Sequence, residues 1–140
     1  MVHNRINVLG IIPGAEIGDT THDQWIEIEV SGRKLMIFDQ DMIFPEKRIG
    51  EEIDAKIGLM PVKIEKTTKY KTAFKDSYLC RVLERNKADG DFEYLVETMS
   101  LRVHMLENKY LSKGSYYVIK GRLDLISIKE AEPSGWRTIQ

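Results

Sequence analysis

The sequence predicts an all-β protein, and three observations carry that prediction. First, apolar residues recur with period two: Ile26, Ile28 and Val30 alternate with Trp25, Glu27 and Glu29, and Ile53, Ala55, Ile57 and Leu59 alternate with Asp54 and Lys56. Successive strand side chains point to opposite faces, so this period marks strands with one buried face. Second, turn signals such as Ser31-Gly32 and Asp89-Gly90 punctuate these stretches. Third, no long stretch carries the 3.6-residue period of a helix. About seven short strands with at most one or two short helical turns imply a small antiparallel barrel or a compact sandwich.

Taken in order, Arg5 to Ile12 is the first strand, rich in β-branched residues, with Gly10 placed for a bulge or sharp bend. Its apolar run is too short, and too interrupted by Asn7 and Gly10, for a signal peptide. Pro13 to Asp23 reads as a polar loop. Trp25 to Val30 and Arg33 to Asp39 form a hairpin through Ser31-Gly32. Gln40 to Gly50 is irregular, because Pro45 excludes a central strand.

Glu51 to Met60 alternates again, and Pro61 is expected to break or bulge that strand before Val62 and Ile64 extend it. Thr67 to Ser77 is a long polar connection. Tyr78 to Arg85 and Phe92 to Thr98 make a second hairpin around Asn86 to Gly90. Ser100 to Leu111 fits a short helix or a strand equally. Gly114 opens the last strand region, which Gly121 interrupts. The expected organisation is one β-barrel domain over residues 1–128, followed by a peripheral tail over 129–140.

Two segments echo one another. Gly50 and Gly114 each start an alternating strand, and Gly58 and Gly121 each interrupt it; each segment follows a strand pair that opens near an aromatic residue, Trp25 or Phe92. A duplicated three-strand unit explains this, and so does the general need of barrels for glycine at strand starts and corners.

The long first strand with Gly10 inside it, the Trp25–Asp39 hairpin and the Gly114–Leu125 strand with its internal Gly121 together resemble an OB-fold, a five-stranded, partly open Greek-key barrel. The resemblance implies a ligand site across one sheet face and its flanking loops, commonly for oligonucleotides or sugars.

Composition narrows the function. The 140 residues carry 21 Lys and Arg against 22 Asp and Glu, a net charge of −1, which argues against coating nucleic acid or an anionic membrane by bulk charge. Hydrophobic residues at 42% and charged residues at 31% describe an ordinary soluble domain. No stretch approaches the roughly 18 apolar residues of a membrane span. Cys80 is the single cysteine, which suits a reducing compartment, and it reads as a small buried side chain rather than a catalytic thiol. The expected location is cytoplasmic.

The small net charge hides a segregation. Gly14 to Ser31 holds five acids and no Lys or Arg, whereas Pro61 to Lys75 holds five lysines against Glu65 alone, a local charge of +4. Lysines neutralise phosphates and interleaved rings stack on unpaired bases, so Lys66, Lys69, Tyr70, Lys71, Phe74 and Lys75 are the candidate ligand-binding residues, with single-stranded nucleic acid as the ligand. The plainer alternative is a solvated loop that Tyr70 or Phe74 pins to the barrel. Trp25, Glu27 and Glu29 share one strand face and form a second candidate surface, for a basic protein partner or for self-association; Trp25 at the edge of the core is the plainer alternative there.

Catalytic signals are weak. Asp39-Gln40-Asp41 lacks further ligands at a recognised spacing and reads better as a loop cap than as a cation site. His3, His22 and His104 match no zinc spacing with Cys80. There is no phosphate loop, dinucleotide fingerprint or serine elbow. The sequence therefore reads as a non-enzymatic binding module with no cofactor.

Overall fold

A computed structural model describes residues 2–67, 76–129 and 136–138, the last three by their backbone alone. Its regular structure is β throughout, apart from one 3-10 turn at Glu46–Arg48. The strands are β1 (Asn4–Pro13), β2 (Glu16–Ile17), β3 (Thr20–Thr21), β4 (Gln24–Val30), β5 (Arg33–Asp39), β6 (Glu52–Thr67), β7 (Ser77–Ala88), β8 (Asp91–Thr98), β9 (Leu101–Glu107), β10 (Tyr116–Lys129) and β11 (Trp136–Thr138). The chain divides into two compact units, residues 1–57 with 123–140 and residues 58–122. The boundaries fall inside β6 and β10.

In the first unit the strand order is β11-β10-β5-β4-β1-β6. β1 is antiparallel to both β4 and β6, whereas β10 meets β5 in parallel at Asp124 and Phe38. The alternation read from the sequence is the burial pattern: Ile26 and Ile28 are fully buried, with Ile6, Val8, Ile37 and Ile53 beside them in the core. Each such side chain contributes roughly 1.5–3 kcal/mol by leaving water. The loop after β5 is organised by a buried carboxylate. Asp39 accepts the N–H groups of Ile43 and Phe44, both at 2.9 Å, and the side-chain amide of Gln24 at 2.8 Å. The loop-cap reading of Asp39-Gln40-Asp41 therefore describes what Asp39 does.

In the second unit the order is β6-β9-β8-β7-β10. β6 meets β9 in parallel at Gly58 and His104, and the other neighbours in that order are antiparallel. β6 and β10 also pair, with Gly121 packed on the carbonyl of Met60, so these strands form a closed circuit. A side chain at position 121 would collide with the β6 backbone, which explains why a glycine interrupts the strand. Tyr94, Val96, Val103 and Ile119 fill the core, and Cys80 is completely buried among them.

The two units repeat one ladder. Val8 pairs with Ile28 and Val82 with Val96; the register then slips in both, to Gly10 with Glu27 and to Glu84 with Leu95; it resumes as Ile11 with Ile26 and Arg85 with Tyr94. The strand-opening glycines are equivalent as well. Gly50 donates to the Val8 carbonyl at 2.8 Å with φ +91°, and Gly114 donates to the Val82 carbonyl at 2.7 Å with φ +83°. The echo between the Gly50 and Gly114 segments thus extends over three strands each time: β1, β4 and the β6 that follows Gly50, and β7, β8 and the β10 that follows Gly114.

Four details differ from the sequence reading. β6 runs unbroken through Pro61, since an extended backbone accepts the fixed φ of proline at the cost of one donor. The Pro13–Asp23 loop contains the β2–β3 hairpin. Ser100 to Leu111 resolves into β9 and a loop, because Met99 and Ser100 take φ of +47° and +68° and turn the chain back along β8. Residues Trp136–Thr138 pair with Ser127–Lys129, adding a strand from the expected tail.

Candidate functional site

Each candidate surface falls within one unit. The first unit carries the Trp25 surface on β4, whose inward residues are Gln24, Ile26, Ile28 and Val30. Trp25 and Glu27 are half-buried and Glu29 is exposed, all on the opposite face, as the alternation requires. Cross-strand register lines them up with neighbours: Trp25 lies between Ile12 of β1 and Phe38 of β5, Glu27 between Gly10 and Met36, and Glu29 between Asn7 and Lys34. The Trp25 and Phe38 rings meet at 5.0 Å and 54°, a favoured tilted contact. With Ile12 about half exposed, they form an apolar stripe across three strands. Beside Phe38 lies a depression of about 240 Å³, lined also by Gln40, Asp124, Leu125 and Ile126.

The second unit carries the lysines. Lys66 is exposed near the end of β6. Lys69, Tyr70, Lys71, Phe74 and Lys75 lie outside the described residues. Lys63 is engaged by Glu65 at 2.9 Å, and this hydrogen-bonded ion pair raises its pKa above the ordinary lysine value.

A third constellation in the second unit left no trace in the sequence. The Arg85 guanidinium lies over the Tyr110 ring at 4.2 Å, and Phe92 meets the same ring edge-on at 6.1 Å and 84°. Tyr94, buried next to Phe92, fixes the loop that carries Tyr110: its hydroxyl donates to the Lys109 carbonyl and accepts the Leu111 N–H, both at 2.8 Å. Burial pushes the Tyr94 hydroxyl pKa up. Arg85 also donates to the Leu111 carbonyl at 3.2 Å. Arg85 and Tyr110 are far apart along the chain, and only the β7–β8–β9 register joins them.

Charge follows the unit boundary. The second unit holds 13 Lys and Arg against 8 Asp and Glu, a net charge of +5; the first holds 8 against 14, a net charge of −6. The local imbalances near Trp25 and after Pro61 are thus parts of a division between the units.

The Cys80 thiol is fully buried, and that burial pushes its pKa up to about 12. Among the described residues, no three His, Cys, Asp or Glu side chains gather as metal ligands, and no helix is long and apolar enough to cross a membrane. No protein-family model matches the chain, and a search of curated proteins finds no match.

Proposed function

We propose that this chain is a non-enzymatic binding module that holds single-stranded nucleic acid on its basic unit, residues 58–122. One observation carries this reading: the near-zero total charge resolves into −6 and +5 along the boundary between the units. A localised positive field attracts phosphates, whereas the acidic unit disfavours indiscriminate coating. Five of the thirteen basic residues of this unit sit in the segment 63–75, interleaved with Tyr70 and Phe74, so Lys66, Lys69, Lys71 and Lys75 supply phosphate contacts and the two rings supply stacking. The strand circuit of this unit, with a parallel contact at Gly58 and His104, is in keeping with an OB-like barrel, an architecture suited to extended oligonucleotides. We place the protein in the cytoplasm, where a lone buried thiol needs no oxidised partner. The test is NMR chemical-shift mapping with a single-stranded oligonucleotide. Perturbations are expected over residues 58–122, and perturbations confined to the first unit contradict the proposal.

The Trp25 stripe supports a second reading. An aromatic pair half open to solvent, on a unit of charge −6 and flanked by Glu27 and Glu29, suits docking of a basic protein surface. A second copy of this chain, presenting its own basic unit, is the partner to test first.

A further inference from the structure

We propose that Tyr110, backed by the Arg85 guanidinium, is a stacking site for one unpaired base of a single-stranded nucleic acid; this rests on the nucleic-acid reading of the second unit and names where a base would sit. Tyr110 is 62% exposed, yet its loop is not loosely held. The residues on either side of it are fixed by three hydrogen bonds: the buried Tyr94 hydroxyl donates to Lys109 and accepts from Leu111, and Arg85 donates to Leu111. An aromatic ring that stays in water while its backbone is pinned loses little conformational freedom when a flat ligand lands on it. Arg85 covers one face at 4.2 Å and Phe92 packs near-perpendicular to the ring at 6.1 Å, yet most of the side chain stays open to solvent, and that open surface is where a base would stack.

The surroundings suit the phosphates that accompany a base. Lys109 precedes Tyr110 and is exposed; Lys87 is exposed and stands opposite Phe92 on the β7–β8 ladder, hence on the same face. Glu107, across from Phe92 on β9, is engaged by the Asn108 N–H at 3.0 Å. A stacked base contributes about 1–3 kcal/mol, and Lys87 and Lys109 attract the backbone on either side of it.

The test is fluorescence anisotropy of a labelled oligo-dA strand of about 12 nucleotides, within the span such barrels cover, against the full chain and two variants. Tyr110→Ala is expected to weaken binding by roughly 5- to 150-fold, the equivalent of one lost stack, with no change in salt dependence because no charge is removed. Tyr110→Phe keeps the ring and is expected to bind like the parent. Urea midpoints of both variants establish that the fold is intact. If the parent binds and Tyr110→Ala binds equally well, the stacking site is wrong and the nucleic-acid reading stands. If the parent does not bind the strand, both fall.

Discussion

The side-chain amide of Gln24 donates to the carboxylate of Asp39 at 2.8 Å, and both groups are buried. The same carboxylate caps the Ile43 and Phe44 N–H groups, so one side chain joins β4, β5 and the loop that follows. Asp39→Ala removes the acceptor of all three donors and is expected to cost about 3 kcal/mol or more, whereas Asp39→Asn keeps one acceptor oxygen and costs less. Urea unfolding checks this, with a lower midpoint and an unchanged m-value expected for both.

The repeated ladder makes a paired prediction. Gly50 and Gly114 occupy the same left-handed position and make the same bond, to Val8 and to Val82. Alanine at either site strains the backbone and is expected to cost about 1–2 kcal/mol, with similar values for the two variants. A loss at one site alone contradicts their equivalence.

Gly10 and Gly121 separate a bend from a close approach. A side chain at Gly10 meets nothing within 4 Å, whereas one at Gly121 meets the Met60 carbonyl carbon at 3.1 Å and Pro61 Cα at 3.2 Å, in addition to the carbonyl oxygen. Gly121→Ala is therefore expected to destabilise by roughly 2–3 kcal/mol, and Gly10→Ala by far less. Thermal melts of the two variants distinguish these outcomes.

These contrasts show what was legible in the sequence. Alternation placed Ile26, Ile28, Ile53 and Ile57 in the core and put Trp25, Glu27 and Glu29 on one outer face, because a half-buried strand allows only one arrangement of its apolar side. The Met99-Ser100 turn was not legible, since it reaches positive φ without the Gly or Asn that normally signals it. The Arg85–Tyr110 stack was not legible either, because strand pairing and not sequence spacing brings the two together. The candidate ligand residues Lys69, Tyr70, Lys71, Phe74 and Lys75 lie outside the described residues, so for that segment charge and composition remain the argument.

Cys80 gives a pH prediction. Its folded pKa of about 12 exceeds the ordinary thiol value of 9.0, so the unfolded chain ionises first as pH rises. The stability this burial supplies is full below pH 9.0 and is lost as pH climbs toward about 12, with a slope of at most about 1.4 kcal/mol per pH unit. Tyr78 and Tyr94, both raised by burial, add to the same alkaline loss. Cys80→Ala is expected to flatten the cysteine share of that decline. At pH 7 the native thiol is expected to resist a thiol reagent until denaturant is added.

The Trp25 stripe predicts association through the acidic unit. Sedimentation velocity at low salt is expected to show reversible self-association that added salt weakens. Trp25→Ala is expected to abolish it, since the variant loses the ring that packs on Phe38. A monomer at high protein concentration in low salt removes the second copy as partner.

The central claim is that a local positive field within a nearly neutral chain binds single-stranded nucleic acid. The most direct measurement is the affinity for a single-stranded oligonucleotide as a function of salt. With three to five lysines on phosphates, the logarithm of the association constant is expected to fall linearly with the logarithm of salt concentration, with a slope of roughly −2 to −3.5. A slope near zero, or no binding at low salt, contradicts the account.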